Sequence, residues 1–141
     1  MKNPMFLLAL AQACTLALAQ GADAPVDLET HKAGAASYIC GGIGAGEQQA
    51  IKSQARRHDL MLTFAISSGA YLADVDVQVK DARGGVVLSA KCEGPIMLVD
   101  LPSKGTWRVT AQVNGQARQK TVKTGPGHVA QATFVWPAGE S

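Results

Sequence analysis

Strict alternation of apolar and polar residues is the clearest pattern in the chain. In residues 75–80 three valines alternate with polar side chains, and in residues 60–66 Leu, Leu, Phe and Ile share one parity. A strand that buries one face and exposes the other has this period of two. Both segments are therefore predicted to be β-strands. A Gly-Gly turn follows residues 75–80, so residues 86–90 are predicted to return beside them as a hairpin.

Two further strand-like segments flank a Pro-Ser-Lys-Gly sequence. In residues 106–113 the apolar side chains begin at Trp107 and recur at every second position, which predicts that Trp107 is buried. Residues 96–101 are apolar and end at Pro102, which cannot donate a backbone hydrogen bond to a sheet. We therefore predict a central β-hairpin, with a tight turn between the two segments.

Residues 117–123 and 129–136 are the last segments with a strand pattern, and short turn sequences separate all of these segments. About seven short strands with regular turns are typical of an Ig-like or transthyretin-like antiparallel β-sandwich. We assign this sandwich to residues 59–137. Aromatic residues make up only 5% of the chain, so the core is predicted to consist mainly of aliphatic side chains.

The central segment resembles the carboxypeptidase regulatory-like domain. The shared features are an apolar strand, Asp100-Leu101-Pro102, Gly105, Trp107, and the alternating Val109 and Ala111 before Gly115. The resemblance covers residues 60–137 and implies a transthyretin-like (prealbumin-like) β-sandwich with, by analogy, an accessory role, since the family is mostly non-catalytic. The pattern of residues 38–44, 58–64 and 71–75 is similar to a group of small exported proteobacterial proteins whose function is not established.

Residues 1–19 have the features of a secretory signal peptide: Lys2, an apolar segment, and a small-residue site that favours cleavage after Ala19. A retained membrane anchor is the alternative, but the apolar segment is shorter than the roughly 20 residues that a bilayer requires. A lipid anchor on Cys14 is a second alternative, although the residues before it do not form a lipoprotein signal. We therefore predict a periplasmic protein without stable membrane insertion.

Residues 20–58 are predicted to precede the sandwich as an N-terminal arm, a Gly-rich loop and one short helix. Residues 20–36 show no periodicity and are interpreted as the arm. Residues 41–46 are rich in glycine but lack the Lys-Ser/Thr ending of a phosphate-binding loop, so we expect a turn that passes close to another backbone. Residues 47–57 contain helix formers with apolar positions on one narrow face, which predicts a helix lying on the sandwich.

Cys40 and Cys92 are the two cysteines that remain after signal cleavage. In an oxidising compartment, two cysteines predict one structural disulfide between them. Two buried free thiols and an intermolecular bridge are alternatives. A redox role is disfavoured because the chain has no Cys-x-x-Cys pair.

No set of residues in the sequence predicts catalysis, a cofactor or a metal. The three histidines, His31, His58 and His128, fall on different elements and at no ligand spacing. Two carboxylates on one face of a strand, here Asp74 and Asp76, can chelate calcium, but the solvated face of that strand is the simpler interpretation. The nucleophile motif Gly-x-Ser-x-Gly is absent from the sequence.

Charge excludes one class of partner. Thirteen Lys and Arg against eleven Asp and Glu, spread along the chain, predict no basic stripe of the kind that nucleic-acid binding needs. We therefore expect a non-enzymatic binding or structural module whose partner is a protein or another component of the cell envelope. The alternatives are a small-ligand carrier of the transthyretin type and an enzyme with an unrecognised site.

Overall fold

The computed structural model describes residues 28–138, which form nine β-strands and one α-helix. The predicted signal peptide, Cys14 and the first part of the predicted arm lie outside the described residues. The elements in chain order are β1 (Thr30–Ala33), β2 (Ala36–Gly41), α1 (Ala45–Gln54), β3 (Leu60–Ile66), β4 (Val75–Lys80), β5 (Val86–Cys92), β6 (Ile96–Asp100), β7 (Gly105–Val113), β8 (Gln116–Thr124) and β9 (Ala130–Trp136). A single 3-10 turn, Ala55–Arg57, extends α1.

The strands form two sheets that pack face to face, which confirms the predicted all-β sandwich. One sheet has five strands in the order β1-β2-β6-β3-β9, and the other has four in the order β5-β4-β7-β8. Neighbouring strands are antiparallel except β3 and β9, which run parallel with Leu60 opposite Ala130. The sequence did not indicate this pair, because a hairpin turn imposes antiparallel pairing whereas no turn connects β3 to β9.

β1 and β2 account for the difference between nine strands and the predicted number of about seven. They form a hairpin with Ala33 opposite Ala36, and β2 then pairs with β6. The buried side chains of β2 include Ala36 and Ile39, three positions apart. The period of two is absent because Ala36 faces the space between the sheets, whereas Ile39 faces α1.

The space between the sheets is filled by side chains at alternate positions of both. In the four-stranded sheet, β4 contributes three valines and β7 contributes Trp107, which is only 4% exposed. The burial predicted for Trp107 from its parity is therefore confirmed. The other large core residues come mainly from the five-stranded sheet: Leu60, Leu62, Phe64, Met97, Val99, Phe134 and Trp136.

The predicted central hairpin is wrong. β6 lies in the five-stranded sheet and β7 in the four-stranded sheet, so residues 101–104 cross from one sheet to the other. The physical reason lies in β6, where four consecutive side chains from Ile96 are buried. A strand buried on both faces needs cover on both sides. β6 has that cover from the opposite sheet and from α1, whereas β7 has one solvated face.

The helix prediction is confirmed, with α1 starting two residues earlier than predicted. Ile51 and Ala55 are buried against the outer face of the five-stranded sheet, where they meet Ile39, Ile96 and Leu98. Helix formers with a narrow apolar face therefore become a third layer that covers β2 and β6. The opposite face of the molecule, the outer side of the four-stranded sheet, has no such cover from the described residues.

Candidate functional site

The disulfide predicted from the cysteine count is present and joins the two sheets. Cys40 of β2 bonds to Cys92 of β5, and their Cα atoms are 5.5 Å apart, which is a usual separation for a disulfide. Cys92 is fully buried in the core. The bond also determines the position of the Gly-rich loop, because residue 41 follows Cys40 directly.

The Gly-rich loop, residues 41–44, is held by a side chain of α1. Glu47 accepts hydrogen bonds at Oε1 from the backbone N–H groups of Gly42 (2.9 Å) and Ile43 (3.0 Å). Gly42 has a φ of 99°, which glycine adopts without steric cost. A Cβ atom at residue 94 would overlap the carbonyl group of Gly41. The predicted close passage over another backbone is thus confirmed.

This loop presents an apolar side chain to solvent at one end of the sandwich. Ile43 is 64% exposed, and Tyr71, in the loop between β3 and β4, is 43% exposed. Both line a groove of about 230 Å³, together with Gly42, Gly44, Gln48, Leu72, Ala73 and Pro95. We call these residues the loop-end surface. Lys52 fixes one side of it, because its Nζ lies 3.4 Å from Tyr71 Oη and 5.8 Å from the ring centroid.

The apolar character continues beyond Leu72. A second, smaller groove of about 40 Å³ lies on the other side of this residue and is lined mainly by Ile66, Val113, Trp136 and Pro137. Single exposed apolar residues are common on proteins, but adjacent ones that share a groove are typical of interaction sites. This end of the sandwich is therefore the candidate binding surface.

The opposite end of the sandwich carries a cluster of charged side chains. His58 Nδ1 lies 2.8 Å from Asp100 Oδ2, and Asp100 Oδ1 accepts from the backbone N–H of Asp59 at 3.3 Å. Asp59 in turn accepts from the backbone N–H of Leu101 (2.9 Å) and from Lys104 Nζ (2.6 Å). These bonds connect the start of β3 to the segment that crosses between the sheets. The cluster therefore has a structural role, because it holds these two segments together.

A histidine beside a carboxylate can also serve in catalysis, but it then needs a nucleophile and space for a substrate. The groove of the loop-end surface and the smaller groove beside it lie at the other end of the molecule from His58. A third groove beside Lys104 is lined by residues 81–83 and 103–107, and His58 and Asp100 are not among them. His58 therefore has a charged partner, but the described grooves do not bring a substrate to it.

Asp59 is the one described group with a clear shift of its pKa. Burial raises the pKa of this carboxyl, but the hydrogen bonds from Lys104 and Leu101 and the nearby charges of Lys104 and His58 outweigh burial. The pKa of Asp59 is therefore below its ordinary value of 3.8 in the folded protein. A carboxyl with a lowered pKa stabilises the fold above its unfolded pKa, and this stabilisation is lost as the pH falls through the folded pKa.

We therefore expect Lys104→Met to weaken the dependence of stability on pH below 3.8. In the wild-type protein the free energy of unfolding should rise with pH through this acid range, because the unfolded state binds the proton of Asp59 more readily than the folded state. Lys91→Met is the matched control, since Lys91 forms an exposed pair with Asp76 at 3.7 Å. Urea melts from acid to neutral pH measure the effect. Equal acid dependence in wild type and Lys104→Met would contradict the assignment.

The other residues considered for metal binding do not come together. His31 stacks on Tyr38 with ring centroids 5.2 Å apart, and His128 lies in the turn before β9. Asp74 has a φ of 61° and precedes β4, so it does not share a strand face with Asp76. Across residues 28–138, the structure contains no group of three or more His, Cys, Asp or Glu arranged to hold a metal ion.

No family model and no curated protein matches the chain. The fold and the disulfide place the protein in a broad structural class, the disulfide-bridged β-sandwiches, here with one covering helix. Neither α1 nor the 3-10 turn in the described part of the chain is long and apolar enough to cross a membrane.

Sequence reasoning missed the loop-end surface. Ile43 stands between Gly42 and Gly44 in a segment without a strand or helix pattern, so the sequence offers one signal, a large apolar residue in a Gly-rich loop. The proximity of Ile43 to Tyr71 depends on two loops that are 28 residues apart in the chain. No local pattern could indicate that the two side chains share a groove.

Proposed function

We propose that this protein is an exported, non-enzymatic domain that binds a protein partner in the cell envelope through the loop-end surface. The observation that carries the proposal is that Ile43 and Tyr71, two large apolar side chains, extend from tethered loops into one groove. Interfaces between proteins typically depend on a few such anchors near a pocket. The carboxypeptidase regulatory-like resemblance supports a non-catalytic accessory role by analogy.

The tethering of the loop supports a recognition role. The disulfide, Glu47 and the close contact between residues 41 and 94 hold the backbone beneath Ile43. A side chain that is already ordered loses less conformational entropy when it binds, which favours affinity.

The disulfide also supports the proposed location. Cysteine pairs persist as disulfides in oxidising compartments such as the bacterial periplasm, and cytosolic proteins rarely have them. Together with the signal-peptide features of residues 1–19, this favours a periplasmic protein. The partner is then a periplasmic protein or the periplasmic part of a membrane protein.

Site-specific photo-crosslinking in intact cells tests the proposal. A photoreactive amino acid at residue 43 should trap a discrete protein, and the same probe at Val135 should not. Val135 is a fair control because it is also exposed, at 45%, and lies on β9, outside the loop-end surface. Tyr71→Ser should abolish the crosslink from residue 43, because it removes the other anchor of the groove. Equal crosslinking from residues 43 and 135 would contradict the proposal.

A small-ligand carrier is the second candidate function. The supporting observation is that Gly42 and Gly44 of the Gly-rich loop do line an apolar groove. Its volume of about 230 Å³ is, however, below the range of about 300–1,000 Å³ that is usual for ligand pockets. Titration with an apolar fluorescent dye separates the two functions. Saturable binding that Ile43→Ser abolishes would favour the carrier, and weak non-saturable binding would favour the protein-binding module.

A further inference from the structure

The outer face of the four-stranded sheet carries rows of hydrogen-bonding side chains. The register places Asp76 between Lys91 of β5 and Gln112 of β7, and it places Gln78 between Ser89 and Thr110. Neighbouring strands are about 4.8 Å apart and successive rows about 7 Å apart. Alternation makes any exposed sheet face polar, so polarity alone does not indicate a ligand.

Two further observations indicate that this face binds a ligand. The first is a groove. The six side chains of these two rows surround a depression of about 350 Å³, a volume within the usual range for ligand sites. The structure gives no hydrogen bond within residues 28–138 to the side chains of Gln78, Ser89 or Gln112. Hydroxyl and amide groups are therefore available, side by side, to both donors and acceptors of a ligand.

The second observation is a set of cations without acidic partners at one end of this groove. Lys80 lies directly opposite Arg108 on the next strand, and Thr106, two residues before Arg108, lies opposite Lys123. In the described part of the chain, the ion pairs of lysine and arginine are Lys91 with Asp76 and Lys104 with Asp59. Like charges directly opposite each other on neighbouring strands destabilise a sheet. A bound anion would convert this repulsion into attraction.

We infer that this face binds an acidic polysaccharide. Sugar hydroxyls match the neutral groups of the groove, and carboxylates of the same chain match Lys80, Arg108 and Lys123. Arg108 lies two residues before Thr110 on the same face of β7, so one short oligosaccharide spans both parts of the site. The inference concerns a different face from the loop-end surface, so its test is independent of the test of the proposed function.

The composition of the face disfavours the other polyanions. Single-stranded nucleic acid is usually held by aromatic side chains on which bases stack, and the residues of the groove and of the basic row include no aromatic ring. An anionic bilayer would use the cations alone and would leave the groove without a role. An acidic glycan uses both features.

Calorimetric titration of the purified protein with oligogalacturonate tests the inference. Binding is expected, and the methyl ester of the same oligosaccharide should bind about tenfold or more weakly, because it keeps the hydroxyls but has lost the carboxylates. The double variant Lys80→Gln with Arg108→Gln should weaken binding of oligogalacturonate by about tenfold or more. Gln78→Ala should weaken binding of the acid and of the ester by a similar factor, because it removes a contact to hydroxyls.

The matched control is the double variant Arg56→Gln with Arg57→Gln, which changes the net charge equally on the exposed 3-10 turn. It should alter the affinity less than twofold, and circular dichroism should show that all variants are folded. The inference is overturned if the acid and the ester bind equally, if the Arg56 and Arg57 variant loses binding as strongly as the Lys80 and Arg108 variant, or if oligogalacturonate does not bind. Stronger binding to phosphatidylglycerol vesicles or to single-stranded DNA than to oligogalacturonate would also overturn it.

Discussion

Trp107→Ala lowers the free energy of unfolding by about 3–5 kcal/mol, enough to leave a small sandwich largely unfolded. The effect is expected because Trp107 is 4% exposed and lies on β7, an inner strand of the four-stranded sheet. Its truncation leaves a cavity beneath β4 and β8 as well as losing apolar burial. Urea unfolding followed by circular dichroism measures the change, and an unchanged midpoint would contradict the assignment of Trp107 to the core.

Trp107→Phe provides a sharper comparison. Trp107 Nε1 is buried and has no hydrogen-bond acceptor among the described residues, whereas Trp136 Nε1 donates to the carbonyl of Gln116 at 3.0 Å. Trp107→Phe removes an unsatisfied donor, whereas Trp136→Phe loses a hydrogen bond to the Gln116 carbonyl. We expect Trp136→Phe to be more destabilising than Trp107→Phe by about 1 kcal/mol. The chain has only these two tryptophans, so each variant retains one fluorescent reporter. An equal or reversed order would contradict this difference between the two indole N–H groups.

Removal of the disulfide is the second change with a large expected effect. The bond closes a loop between residues 52 positions apart, for which the chain-entropy estimate is about 4 kcal/mol of stability as an upper value. Cys40→Ala with Cys92→Ala should therefore lower the urea midpoint strongly. Loss of stability should be greatest in β1, β2 and the Gly-rich loop, because β1 is almost wholly exposed and has little apolar contact of its own.

Hydrogen exchange of the double-alanine variant locates this effect. Amides of β2 and of residues 41–44 should exchange faster than in the wild type, while those of β4 and β7 should stay protected until the whole sandwich unfolds. Ile43 should also crosslink less efficiently, because the loop beneath it has lost its covalent anchor. Uniform loss of protection across both sheets, or two alkylated thiols in protein taken from the periplasm, would contradict the structural role of the bond.

Local periodicity was sufficient wherever one face of a strand meets water. β4, β7 and the buried Trp107 followed from alternation alone, because polar side chains on one face reveal the apolar face opposite. The sequence did not indicate the start of α1, since Ala and Gly at residues 45 and 46 add nothing to the apolar face of the helix. The pairing of Cys40 with Cys92 could also be predicted from the sequence, because it required only the number of cysteines and an oxidising compartment.

The same pattern could not predict which strands pair with one another. The central hairpin was wrong because residues 96–100 are apolar at every position before Asp100, and periodicity cannot show which sheet such a strand joins. β2 was missed because two layers share its buried side chains. In both cases the missing information was what covers each face, and this depends on elements distant in the chain.

The sequence by itself determined the class of fold, the strands with one solvated face, the covering helix and the disulfide, because each follows from neighbouring residues or from simple chemistry. Only the tertiary structure decided which strands pair, that Ile43 and Tyr71 share a groove, and that Lys80 lies opposite Arg108. The physical reason is that these juxtapositions come from packing between segments far apart in the chain. Burial favours apolar contact without direction, so a local pattern shows that a face is buried but not what it meets.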